Sequence, residues 1–183
     1  MKSTNAKNLL NAIEKTILEI DSIPSTNIKA DSYFARFLVV YICGVFEEVI
    51  ESIIKESVLK FNSTKLSIFF EKHISRTFRN PNISSINGIL KSFDETWGDQ
   101  LKNLPQKNLL AIDSIFNNKN YLAHGQDCNV TLKEVKQYYI DSNYLVGADG
   151  SLSSVAKSAN YFLNRKFFIA AKAIINMKND NAI

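Results

Sequence analysis

The sequence has few of the residues that interrupt or staple a fold: six glycines, three prolines and two cysteines among 183 residues. So little glycine and proline excludes a turn-rich all-β sandwich and a low-complexity chain. The cysteines, Cys43 and Cys128, stand far apart and in no paired spacing, which excludes a disulfide framework and a zinc ribbon. Cys43 lies in an apolar run and reads as packing. There are only two histidines, His73 and His124, and no carboxylates or cysteines at ligand spacing, so no metal site and no cofactor are expected. No glycine-rich phosphate loop, nucleophile-elbow serine or zinc-protease helix motif occurs. The longest apolar run, Phe37 to Phe46, is too short to cross a bilayer, and MKSTNAKNLLNAIEK lacks the apolar core of a signal peptide. A cytoplasmic protein with no membrane association is expected, in which the sequon at Asn62 to Thr64 carries no glycan.

What is present points to helices. Hydrophobic residues make up 45% of the chain, enough for one domain over 1–183 with a sizeable core. The net charge of +4 allows an anionic partner without demanding one. Leu9, Leu10, Ile13, Ile17 and Ile20 recur at helical spacing over 5–21, and Pro24 ends that element. From Asp31 to Phe61 the chain is apolar on nearly every side before Glu47 and amphipathic after it. That is the pattern of a helix at the centre of a bundle, with Gly44 marking a close crossing. A third helix over 65–78 is capped within Asn62-Ser63-Thr64, and a fourth, capped by Ser84 or Ser85, carries Ile86, Ile89, Leu90 and Phe93. A short helical or irregular piece surrounds Trp97 and Leu101. Pro105 then opens a fifth helix over 106–124, which Gly125 stops. Thr131 and Glu134 form a capping box for the next helix, with Val135, Tyr138 and Tyr139 as its apolar residues. Gly147 to Gly150 make a turn, and Ser153 to Met177 read as a last amphipathic helix. An all-α bundle results.

The stretch that asks for chemistry is KNYLAHG, 119–125. At about 100° per residue, Leu109, Ile112, Ile115, Phe116, Leu122 and Ala123 gather on one helix face, with Lys119 inside that stripe. Asn120 and His124 stand four residues apart on its edge, close enough for one side chain to orient the other. A lysine among core-facing positions must snorkel to water or meet a negative group. Two readings fit. His124 and Gly125 form an ordinary helix end, the imidazole favoured by the helix dipole, or the trio is half of an active site. A second basic cluster, Lys72, His73, Arg76 and Arg79, places Lys72, Arg76 and Arg79 on one helix face, either as an RNA-backbone contact or as a solvated surface.

The order of these features resembles the HEPN superfamily, and specifically its RiboL-PSP-HEPN branch. RFLVVYICGVFEEVIESII lies in the central helix, RTFRNPNISSINGIL follows the third, and IFNNKNYLAHGQDCNVTLKEVKQYY comes later. The resemblance covers about 33–140. It implies an all-α, commonly homodimeric domain, and for many members a metal-independent endoribonuclease of toxin-antitoxin, phage-defence or RNA-processing systems. The family pattern is an arginine, a polar residue, a short spacer and a histidine, with two copies meeting at the dimer seam. Placed on this chain, the histidine is His124, the polar residue Asn120, and Gly125 takes the position after the histidine. Lys119 stands where the arginine belongs, and lysine keeps the charge without the planar two-pronged contact. The branch also carries an acidic residue on the central helix, for which Glu47 and Glu48 are the candidates. The tyrosine that partner nucleotidyltransferases modify in one HEPN group is replaced by Gln126.

The function so implied is RNA cleavage by transesterification, with His124 as acid or base, Lys119 supplying positive charge, and Asn120 orienting the imidazole or a phosphate oxygen. The expected partners are RNA, a second copy of the chain, and an antitoxin or defence-system protein. One alternative is a catalytically degenerate HEPN domain acting as a dimerisation or RNA-sensing module. Another is a helical partner protein with no nucleic-acid role.

Overall fold

The helices that begin at Thr4, Ile28, Ile83 and Leu132 start where a short polar side chain takes up a free backbone N–H group, whereas the helix that begins at Gln106 starts at Pro105 with no side-chain cap. The structure, a computed structural model, describes residues 3–24, 27–59, 63–77, 82–93 and 95–146. Ser3 accepts from the Ala6 N–H at 3.0 Å and opens α1, Thr4–Ser22. Asn27 accepts from Lys29 at 2.9 Å at the start of α2, Ile28–Leu59, so this helix begins a turn earlier than its apolar pattern. Helix α3 runs Thr64–Thr77, one residue earlier at each end than the expected 65–78. The cap of α4, Ile83–Phe93, is Asn82 rather than Ser84 or Ser85: its side chain accepts from Ser85 at 2.8 Å, which puts both serines inside the first turn. The segment around Trp97 is a regular helix, α5, Glu95–Lys102. Helix α6, Gln106–Ala123, follows Pro105, and α7, Leu132–Val146, follows Thr131. Among the described residues the chain is all-α, with seven helices and no strand. The expected turn at Gly147 and the helix from Ser153 lie outside them.

Helix α2 is the hub, packing against α1, α3, α6 and α7. Leu38, Val39, Ile42, Phe46 and Val49 are fully buried along it. Truncating Phe46 to alanine would cost about 3–5 kcal/mol, the range for a large core aromatic. Helix α6 meets this core through Ile112, Ile115 and Phe116, and α7 through Val135 and Tyr139. The Tyr139 hydroxyl donates to the Leu10 carbonyl at 3.3 Å, tying α7 to α1. Asp113 on α6 accepts from the Ile83 N–H at 3.0 Å, which places a carboxylate at the positive end of α4.

Two expectations for α2 are corrected. Its first half is not covered all round, because Phe37 and Val40 are half exposed (51% and 52%), with Phe37 stacked on Tyr41. Gly44 lies on that same open side, where an added Cβ would meet nothing within 4 Å, so it marks no close crossing.

Candidate functional site

The last turn of α6 closes with backbone atoms alone. Gly125 takes the left-handed conformation, φ 68°, which an L side chain adopts at a cost. The space around it is open, so only the dihedral selects glycine. That turn lets the Gly125 N–H donate to the Leu122 carbonyl at 3.1 Å and the Gln126 N–H to Tyr121 at 2.8 Å, while His124 donates to Asn120 at 3.1 Å. The carbonyls that end a helix without partners are thereby satisfied.

Because the backbone completes the cap, the side chains on it are released. The His124 imidazole is exposed and makes no hydrogen bond or ion pair with a described residue. Asn120 is half-buried, and its amide is likewise unbonded among the described residues. The two residues are linked only through the backbone bond; no side-chain bond joins amide and imidazole.

Lys119 is half-buried, not extended into water, and sits within electrostatic reach of α2. Of the two acidic candidates on α2, Glu47 is the half-buried one that feels this lysine, whereas Glu48, one position further round the helix, is exposed. Burial raises the Glu47 pKa above the ordinary carboxylate value; the Lys119 charge opposes the shift and Glu51 adds to it. Cys43, one turn before Glu47, donates from Sγ to the Ile115 carbonyl at 3.7 Å and is held as a neutral thiol by burial, so it packs between α2 and α6.

Arg36 is a further cation that the fold brings to the loop after α6, and no motif marks it. Its Nη2 lies 3.8 Å from Oδ1 of Asp127, three residues after His124. The one signal in the sequence is register, since Arg36 and Glu47 are eleven residues apart on α2 and fall within about 20° of each other around the axis.

The basic cluster on α3 is placed only in part. Lys72 is exposed, and His73 stacks on Phe69 with centroids 5.8 Å apart. Arg79 and the side chain of Arg76 lie outside the described residues. Among the described residues, no group of three His, Cys, Asp or Glu side chains is placed to hold a metal ion, and no helix is long and apolar enough to cross a membrane.

Chemically, the α2 and α6 surfaces combine an exposed imidazole, a free amide, a half-buried ammonium and a carboxyl whose proton is held more tightly than usual. These groups can move a proton and stabilise an anion. A family model described as RiboL-PSP-HEPN matches residues 3–148, a wider span than the motifs alone mark. No curated protein and no solved structure matches the chain.

Proposed function

This chain belongs to the RiboL-PSP-HEPN family, and from that premise we propose that it is a metal-independent endoribonuclease, a toxin or phage-defence effector that cleaves RNA where two copies of the chain meet. The observation that carries the reading is an exposed imidazole on a turn that does not need it, five residues after Lys119. The RNA 2′-oxygen attacks the adjacent phosphorus, the bond to the 5′-oxygen breaks, and a 2′,3′-cyclic phosphate remains. One group must take the 2′-hydroxyl proton and another must return a proton to the leaving 5′-oxygen. His124 performs one of these transfers, and its counterpart in the second copy performs the other. Lys119 neutralises charge on the phosphorane, Asn120 holds a phosphate oxygen, and Glu47 keeps Lys119 in place.

A second copy also answers the open side of α2, where Phe37 and Val40 are exposed, and the exposed Tyr121 on α6. Lys72, Arg76 and Arg79 serve as a distal RNA-backbone contact. The protein works in the cytoplasm with an antitoxin or defence partner. The degenerate-module reading has one observation in its favour, the lysine in the usual arginine position.

The experiment is cleavage of labelled single-stranded RNA in EDTA, alongside light scattering. Fragments ending in 2′,3′-cyclic phosphate and a mass twice the 20.7 kDa chain are expected. Strict metal dependence, fragments with 3′-hydroxyl ends, or a strictly monomeric protein would contradict the proposal.

A further inference from the structure

We infer that Arg36 is an RNA phosphate-binding residue at the same site, supplying the planar guanidinium that Lys119 cannot, with Asp127 as its partner when no RNA is bound. The inference rests on the reading that the His124 centre handles RNA, and it adds a residue from another helix.

Placement is the first support. Arg36 on α2 reaches Asp127, three residues beyond His124, and Lys119 near the end of α6 lies within electrostatic reach of Glu47 on α2. Arg36 and Glu47 share a face of α2 and are separated by about 16 Å along its axis. His124 follows Lys119 by five residues, so the exposed imidazole is carried towards the loop that holds Asp127. An RNA strand laid across this face would meet Lys119 on one side of the imidazole and Arg36 on the other.

The state of the guanidinium is the second support. Its Nε is buried without a hydrogen-bond partner, and an unpaired buried donor destabilises the fold. The side chain as a whole is 39% exposed although Nε is buried, and its Nη2 reaches the largely exposed Asp127. Asp127 is a weak partner for those nitrogens: it is 90% exposed, and 3.8 Å is well beyond the 2.7–2.9 Å of a charge-assisted hydrogen bond. Exposed ion pairs of this kind contribute little to stability. Fold stability alone therefore gives little reason for an arginine here. A phosphate does, because two parallel N–H donors match two phosphate oxygens, whereas an ammonium offers only a point charge. The carboxylate of Asp127 marks where an anion sits and leaves readily when a better one arrives.

The test uses the full chain and a short single-stranded 2′-O-methyl RNA, which has no 2′-hydroxyl to attack and so reports binding whether or not the protein cleaves. Arg36→Ala should weaken binding about tenfold and lower the salt slope by about 0.7, the value for one single-strand phosphate contact. Arg36→Lys should keep the salt slope yet recover only part of the affinity, since the charge returns without the fork. Asp127→Asn should tighten binding about two- to fivefold by removing the competing carboxylate. Asp127 is too exposed for that change to unfold the chain, so this arm decides the matter if Arg36→Ala does not fold. If Arg36→Ala or Asp127→Asn binds this RNA as the parent does, the inference is wrong even where the parent cleaves RNA. If the parent binds and never cleaves while these variants shift as stated, Arg36 stands and the nuclease reading falls. If the parent does not bind RNA, both fall.

Discussion

Six residues separate His124 at the end of α6 from Thr131 at the start of α7, and the two helix ends use their polar residues in opposite ways. At the start of α7 the side chains do the capping. Glu134 donates its N–H to the Thr131 hydroxyl at 3.2 Å, and the Thr131 N–H donates to the Glu134 carboxylate at 2.8 Å. At the end of α6 the backbone caps itself, and the side chains of His124 and Asn120 make no hydrogen bond among the described residues. Both are polar residues at helix termini, and sequence spacing alone describes them alike. Tracing where the hydrogen bonds go separates polar side chains that hold a helix end from polar side chains that do not.

The comparison breaks first at Lys119, where the largest effect is expected. Lys119→Ala should lower RNA cleavage on the order of 10²-fold, the usual loss when one charge-stabilising group is removed, and Lys119→Arg should match or exceed the parent. Equal inactivity of parent and both variants would mark the degenerate module. Next, Gly125→Ala should lower stability by about 1–2 kcal/mol, because the left-handed conformation is strained for alanine although nothing blocks its Cβ. Denaturant unfolding would show this, and activity should fall as the His124 turn loosens. Thr131→Ala should cost about 1 kcal/mol and leave cleavage per folded molecule unchanged. A melting-temperature drop of about 2–4 °C with full activity would agree; a cleavage defect would mean that α7 matters to the chemistry.

The smallest effect is in pH dependence, and the signs differ between the two ends. Glu134 has its pKa lowered by the Thr131 backbone hydrogen bond and then by its hydroxyl, so its contribution is present above the ordinary glutamate range and is lost as pH falls through the depressed value. Glu47 is raised by burial, so the folded state holds its proton longer and stability declines as pH rises from 4.5 through the raised value. Cys43, Lys119 and Glu51 are the ionisable groups that act with it. Melting curves from about pH 4 to pH 7 should show Glu47→Gln gaining on the parent as pH rises and Glu134→Gln losing ground. The same trend in both variants would refute the assignment.

Much of this was legible in the sequence because local rules govern it. Apolar spacing located the helices to within a few residues, Thr131 and Glu134 announced their box, and Gly125 announced the left-handed turn. Features set by packing were not legible. Glu47 and Glu48 are adjacent, and only the seating of α2 against α6 decides that Glu47 feels Lys119. Asn82 outcompetes Ser84 and Ser85 as a cap because Asp113, thirty residues on, also fixes where α4 begins. Gly44 resembled a contact point and is an open one, since no neighbouring helix covers that side among the described residues. Arg36 carried no motif, and its relation to His124 depends on a loop reaching back to α2.

The central claim is that His124 is present for chemistry and not for folding, and His124→Ala measures both. Unfolding free energy within about 0.5 kcal/mol of the parent, with RNA cleavage in EDTA lost by on the order of 10²-fold or more, is the predicted result. A variant that unfolds, or one that still cleaves at the parent's rate, would contradict it.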